Sequence, residues 1–93
     1  MKNAMIIGAG STIASQVIDK LAAKGFNLYL LARDEDFLQE KKQDMNVKYP
    51  NANVLVKTFD AENDTGIILE EKINAGFDTL GTIDVVLIAY GNL

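Results

Sequence analysis

The stretch that decides the fold is residues 4–14, Ala4-Met5-Ile6-Ile7-Gly8-Ala9-Gly10-Ser11-Thr12-Ile13-Ala14. It opens with four apolar residues and no polar interruption, which is typical of a strand covered on both faces. Two glycines follow, where the chain needs backbone conformations that other residues rarely adopt. Ser11 or Thr12 can then cap a helix. The stretch therefore predicts a buried strand that runs through a tight glycine turn directly into a helix.

The rest of the chain repeats this alternation of apolar strand and amphipathic helix. Further apolar runs lie at 28–31, 54–56 and 83–89. Helices are predicted from Ser11 or Thr12 to Lys24-Gly25, over 34–49, and from about Asp64-Thr65 to Leu80. The apolar stripe of the first helix comprises Ile13, Ala14, Val17, Ile18 and Leu21. An order β-α-β-α-β-α-β builds a parallel sheet through right-handed crossovers. We therefore predict a three-layer α/β fold of Rossmann type, with a four-stranded parallel sheet in the order 3-2-1-4 and helices on both faces.

Composition narrows the classes of function. The 93 residues allow one domain, and 48% hydrophobic with 24% charged residues is typical of a globular protein. A net charge of −4 argues against a nucleic-acid partner and against docking on an anionic membrane. The absence of cysteine and histidine excludes a disulfide framework, thiolate or histidine metal ligands and histidine acid–base chemistry. We expect a cytoplasmic protein without a metal site.

The glycine turn is a candidate anion site. The backbone N–H groups of Ser11, Thr12 and Ile13, together with the helix dipole, favour a phosphate at the helix start. A strict Gly-x-Gly-x-x-Gly motif is not present, because Ile13 stands at its sixth position, and no Gly-Lys-Ser/Thr follows for a Walker A loop. A tight turn without a ligand is the alternative. The position of the turn inside a βαβ unit favours nucleotide binding.

This turn resembles that of the short-chain dehydrogenase/reductase family, Gly-x-x-x-Gly-Ile-Gly. The first glycine and the isoleucine of that pattern are present as Gly8 and Ile13, whereas Thr12 and Ala14 replace the later glycines. Leu30-Leu31-Ala32-Arg33-Asp34 is similar to the family's second-strand end, where an arginine commonly meets the 2′-phosphate of NADP. Thr58-Phe59-Asp60-Ala61 resembles the third-strand end, where an aspartate and the next residue flank the adenine.

The stretch from Asp84 to Gly91 resembles the family's fourth strand and the Asn-Asn-Ala-Gly after it, of which only Gly91 remains. The resemblance implies a nicotinamide dinucleotide as ligand. It implies cofactor contacts from Gly8, Gly10, Ser11, Thr12, Ile13, Arg33, Asp60, Ala61, Ala89, Tyr90 and Gly91. NADP(H) is the predicted cofactor because an arginine after the second strand suits a 2′-phosphate. NAD stays possible, because Asp34 could turn inward and take the ribose.

Catalysis in this family needs a serine and a Tyr-x-x-x-Lys pair. None of the three tyrosines has a lysine four residues on: Arg33 follows Tyr29, Asn53 follows Tyr49, and Tyr90 would need a residue 94. No catalytic residue is therefore predicted. We expect residues 1–93 to form one nucleotide-binding domain, the amino-terminal fragment of a longer NAD(P)-dependent oxidoreductase, and to be inactive alone.

Two other functions stay open from the residues. One is a nucleotide-binding or sensing module without turnover. The other is an S-adenosylmethionine-binding domain, which is disfavoured because Ala32 lies where that class would have an acidic residue. A strand over 85–89 at the sheet edge would also expose apolar side chains and unpaired backbone groups. We therefore predict a homo-oligomer formed through this edge, or a monomer that is prone to aggregate.

Overall fold

A computed structural model of the chain describes residues 2–60 and 66–89. Its seven elements follow the predicted order. They are β1 (Asn3–Ile7), α1 (Thr12–Ala23), β2 (Asn27–Ala32), α2 (Glu35–Lys48), β3 (Val54–Thr58), α3 (Gly66–Leu80) and β4 (Val85–Ile88). The predicted start of the third helix at Asp64-Thr65 lies outside the described residues.

All strand pairs are parallel, and the sheet order β3-β2-β1-β4 confirms the prediction. Ile6 lies beside Leu30 of β2 on one side and Leu87 of β4 on the other. Because β1 and β2 are central and covered by helices, their apolar runs carry no alternating polar residues. The described helices include none that is long and apolar enough to cross a membrane.

Two apolar cores lie on opposite faces of the sheet. On one face, Ile6 and Leu30 pack with Ile18 of α1 and Met45 of α2. On the other, the strand residues Met5, Ile7, Tyr29 and Leu31 pack against Leu69 and Ile73 of α3. The prediction of helices on both faces is thereby confirmed.

One residue predicted on the apolar stripe of α1 is not in the core. Ile13 is 67% exposed, although the stripe placed it among buried neighbours. The buried line of α1 runs through Ala14, Ile18 and Ala22 at a spacing of four, and Ile13 lies beside that line in the first turn. Its side chain is therefore available at the surface next to the glycine turn.

A chain of asparagines ties the strands together at their amino ends. The side-chain amide of Asn3 donates to the carbonyl oxygens of Leu80 and Thr82 at 2.9 and 2.7 Å. Its side-chain oxygen accepts from Asn27 at 3.1 Å, and Asn27 in turn accepts from the backbone N–H of Asn53 at 3.0 Å. The network links β1, β2 and the start of β3 to the end of α3. It therefore aligns the amino ends of these strands with one another.

Replacing Asn3 with alanine should lower the free energy of unfolding by roughly 1–3 kcal/mol, because partners of the buried amide are left unsatisfied. Asn53→Ala is the control, since that residue joins the network through its backbone. Urea titration of both variants measures the difference. Equal stability of the Asn3 variant and the wild type would contradict the structural role of this network.

Gly76 allows α3 to lie unusually close to the sheet. A β-carbon at this position would lie 2.5 Å from a ring carbon of Tyr29 and 2.7 Å from the terminal methyl of Met5. The Tyr29 hydroxyl passes beneath the helix and donates to the carbonyl oxygen of Lys72 at 3.0 Å. Burial raises the pKa of Tyr29, so the hydroxyl keeps its proton well into the alkaline range. The close packing and the hydrogen bond together hold α3 against β2.

Gly76→Ala should destabilise the fold by roughly 1–3 kcal/mol, because the added carbon overpacks the site and outweighs the better helix propensity of alanine. Gly66→Ala is the matched control in the same helix, since a β-carbon there meets nothing within 4 Å. That control should be neutral or stabilising by up to about 1 kcal/mol. Thermal or urea unfolding of both variants checks the opposite signs, and a stabilised Gly76 variant would refute the close approach.

Candidate nucleotide-binding site

The glycine turn after β1 is held in place by one carbonyl oxygen of β2. The backbone N–H groups of Gly8 and Ala9 both donate to the carbonyl oxygen of Leu31, at 2.8 and 2.9 Å. Gly8 has a φ of 88°, in the region that favours glycine. These bonds keep the start of α1 next to the end of β2.

Ser11 is the N-cap of α1. Its backbone is extended, and its side-chain oxygen accepts a hydrogen bond from the N–H of Ala14 at 3.0 Å. Its own N–H donates to the carbonyl oxygen of Gly8 at 3.3 Å. Of the three N–H groups predicted to face an anion, that of Ser11 is thus used inside the turn. Those of Thr12 and Ile13 belong to the first helical residues, which have no acceptor within the helix.

The space around Gly10 suits a phosphate. Gly10 is exposed, and a β-carbon built on it would meet nothing within 4 Å. Its φ is not positive, so the backbone conformation does not require glycine there. The absence of a side chain instead leaves the turn open next to the helix start, where N–H groups and the helix dipole favour an anion. The residues present therefore fit a dinucleotide phosphate.

Arg33 and Asp34 follow β2 and differ in what they contact. Asp34 is the N-cap of α2, and its Oδ1 accepts from the N–H of Phe37 at 3.2 Å. Arg33 is exposed, and across residues 2–60 and 66–89 no ion pair joins it to Asp34 or Asp36. The arginine is free to meet a ligand, whereas the carboxylate that could compete for the ribose is engaged in capping.

The carboxyl ends of all four strands meet at one edge of the sheet. Phe59, which precedes Asp60, donates to the carbonyl oxygen of Ala32 at 2.8 Å, and Ala89 donates to that of Ile7 at 2.7 Å. Asp60 and Ala89 therefore lie at the same edge as the glycine turn and Arg33. Ala61, Tyr90 and Gly91, which the resemblance also implies as cofactor contacts, lie outside the described residues. At this edge of a parallel sheet ligands commonly bind.

Lys41, which the sequence analysis did not identify, holds α2 against α1. Lys41, whose side chain is only 10% exposed, lies 3.2 Å from the Ser15 hydroxyl and 3.5 Å from Asp19 Oδ1. Because Ser15 and Asp19 belong to α1, the contact joins the two helices that start at the candidate site. The partners are more than 20 residues apart in sequence, so no local pattern could have indicated the pairing.

Acidic residues do not form a metal site in the described part of the chain. Across residues 2–60 and 66–89 no group of three histidine, cysteine, aspartate or glutamate side chains could hold a metal ion.

Comparison with known proteins adds to this geometry. No family model matches the chain. An uncharacterized oxidoreductase from Staphylococcus epidermidis is 30% identical over 92 residues, which are 97% of this chain and 36% of that protein. The structure of an alcohol dehydrogenase from the archaeon Thermococcus sibiricus, complexed with 5-hydroxy-NADP, is 28% identical and superposes with a TM-score of 0.83. That match covers 92% of this chain and 35% of the archaeal chain.

A short-chain dehydrogenase from Salmonella enterica superposes with a TM-score of 0.89 over 99% of this chain and 37% of its own length. Its sequence is 21% identical, so this likeness shows the shared fold. The chain spans from under a fifth to just over a third of the length of the curated relatives it matches.

Proposed function

We propose that this chain, an amino-terminal part of a short-chain dehydrogenase/reductase, binds NADP(H). The observation that carries the proposal is the glycine turn pinned to Leu31. It directs the helix start of α1 toward an open space beside Gly10, with Arg33 at the neighbouring strand end. A pyrophosphate at the N–H groups of Thr12 and Ile13 would place a ribose phosphate on the side of β2.

The preference for NADP(H) over NADH rests on the contrast between Arg33 and Asp34. An acidic side chain at this strand end accepts the ribose hydroxyls of NAD and repels a 2′-phosphate, and an arginine has the opposite effect. Here the acidic residue is the cap of α2, and the guanidinium is exposed. Arginine also binds phosphate in a bidentate manner, which strengthens the contact beyond that of a point charge.

Arg33→Ala should weaken NADPH binding by about tenfold and leave NADH binding nearly unchanged, because only NADPH carries the 2′-phosphate. Lys24→Ala, an exposed cation at the far end of α1, is the control for a general charge effect. Fluorescence titration of the wild type and both variants with each dinucleotide gives the ratio of variant to wild-type Kd for NADPH and for NADH. Tighter binding of NADH than of NADPH by the wild type would overturn the assignment of the cofactor.

The activity that we propose for a complete protein of this kind is hydride transfer between NADP(H) and a carbonyl or hydroxyl group. The nicotinamide supplies the hydride chemistry, and the residues of this chain bind and orient the dinucleotide. A serine and a Tyr-x-x-x-Lys pair do not occur together among the 93 residues in the required pattern. We therefore expect this chain alone to bind the cofactor without turnover, and a hydride-transfer assay with NADPH checks that expectation. Its location in the cytoplasm stays a prediction from the sequence.

The same titration separates only one of the two other functions from NADP(H) binding. A sensing module without turnover would also bind a nucleotide, so only the assay of a longer protein distinguishes it. An S-adenosylmethionine domain would bind that ligand in place of NADPH. The end of β2 argues against it, because the position where that class would have an acid is occupied by the buried Ala32.

Self-association through β4 is the second part of the proposal. Val86 and Ile88 are 53% and 61% exposed, and no other strand of the described residues pairs with the outer side of β4. The strand carries no charged residue that would discourage pairing with another chain. We propose that two copies of this chain pair along this strand.

Val86→Lys and Ile88→Lys should each shift the chain toward the monomer, because a charge on the edge opposes the approach of a second strand. Val47→Lys is the control, since Val47 is 82% exposed and belongs to α2, which packs against β3 at the opposite edge of the sheet. Sedimentation velocity over a range of concentrations measures the association. A wild-type chain that stays monomeric at high concentration would rule out pairing of copies.

A further inference from the structure

The opposite edge of the sheet carries a groove that the nucleotide site does not use. A cavity of about 260 Å³ lies along β3, between α2 and α3. Apolar side chains of β3 line it together with the small residues Ala75 and Thr79 of α3. The groove runs beside the strand, whereas the candidate nucleotide site lies at the carboxyl ends of the strands. An inference about the groove is therefore independent of the proposed cofactor.

The free side of β3 presents backbone groups to this groove. Leu28 donates to the carbonyl oxygen of Asn53, and Phe59 donates to that of Ala32, both at 2.8 Å. Because backbone groups alternate in direction along a strand, residues 53, 55, 57 and 59 face β2. Val54, Val56 and Thr58 then direct their N–H and C=O groups outward, where the described residues supply no strand. The Lys72 ammonium donates to the carbonyl oxygen of Thr58 and leaves Val56 as the outward residue at the centre of the groove.

Two lysines flank Val56 on opposite faces of the sheet. Lys42 of α2 lines the groove on the face where Val56 packs with α1 and α2. Lys57 also lines it and shares the other face with Leu55, which packs on the side of α3. The ion pairs of the described residues join Lys41 to Asp19 and Lys48 to Asp44, so neither groove lysine is paired there. A ligand in the groove would therefore meet the Lys42 ammonium on the face of α1 and α2 and the Lys57 ammonium on the face of α3.

We propose that β3 binds an extended peptide as an added strand, and that the peptide carries two adjacent acidic residues. The outward N–H and C=O of Val56 supply main-chain hydrogen bonds, as in other cases of strand addition to a sheet edge. Side chains of an extended peptide alternate between the two faces. Two neighbouring carboxylates therefore point to opposite faces, one toward Lys42 and the other toward Lys57. Acids separated by one residue would both lie on one face and could meet only one of the two groove lysines, Lys42 or Lys57.

The test uses fluorescein-labelled peptides and measures fluorescence anisotropy with the full chain. The probe is Thr-Val-Glu-Glu-Val-Thr, and the matched peptide Thr-Glu-Val-Glu-Val-Thr has the same composition with the acids on one face. We expect saturable binding of the first peptide and weaker binding of the second by about two- to fivefold, the range for one exposed ion pair. Two further versions of the first peptide are N-methylated on alternate amides, one on the odd-numbered and one on the even-numbered residues. Only one of these two versions should lose binding, because only one set of amides faces Val56.

Variants of the chain test the same contacts from the other side. Lys42→Gln and Lys57→Gln should each weaken binding by about two- to fivefold, and Lys24→Gln should have no effect. Equal binding of the two acidic peptides, or equal binding of both N-methylated versions, would overturn strand addition with this charge arrangement. Absence of saturable binding at millimolar peptide would overturn the proposal altogether. A change in the oligomeric state of Lys57→Gln without a change in peptide affinity would assign the groove to a second copy of the chain and contradict it as well.

Discussion

The contact on which the candidate site depends is the shared carbonyl oxygen of Leu31. It accepts from both Gly8 and Ala9, so the turn after β1 is fastened to the end of β2 rather than only to its own strand. This contact fixes where α1 begins, and it brings the free N–H groups of its first turn beside Arg33. A phosphate site at a helix start is common in proteins. We propose that the neighbouring Arg33 makes this site selective for the 2′-phosphate of NADP(H).

The asparagine network and Gly76 support the same arrangement from a distance. Asn3 and Asn27 align the strands at their amino ends, which leaves the carboxyl ends level with one another. Gly76 lets α3 lie close to Tyr29 and closes the second face of the sheet. Lys41 joins α2 to α1 and so holds the segment that begins just after Arg33. The helices and strands that carry the site are thus positioned by contacts outside it.

Much of the fold could be predicted from the sequence because its signals are local. Continuous apolar runs indicated β1 and β2 as buried strands, and the glycine turn indicated the entry into α1. The strand order followed from alternation and from the resemblance to a known family. The details that could not be predicted depend on residues far apart in the chain. The pairing of Lys41 with Asp19, the bonds of Asn3 to the end of α3 and the exposure of Ile13 require the packed structure.

The candidate site shows the same division. The residue types at Gly8, Gly10 and Arg33 were sufficient to predict a nucleotide site with a preference for NADP(H), which stays a proposal. The sequence left Asp34 as a competitor for the ribose, and only the hydrogen bond to Phe37 shows that its carboxylate caps α2. It also assigned the N–H of Ser11 to the anion, whereas that group donates to Gly8 within the turn. Hydrogen-bond partners of this kind depend on backbone geometry that residue types do not specify.

The most direct test of the account is an NMR titration of isotope-labelled protein with NADP⁺. The account predicts chemical-shift changes at the backbone amides of Thr12 and Ile13 and at the Arg33 side chain, with the side-chain amides of Asn3 and Asn27 unchanged at the other end of the sheet. Changes confined to the amino ends of the strands, or no change at Thr12 and Ile13 at saturating NADP⁺, would contradict it.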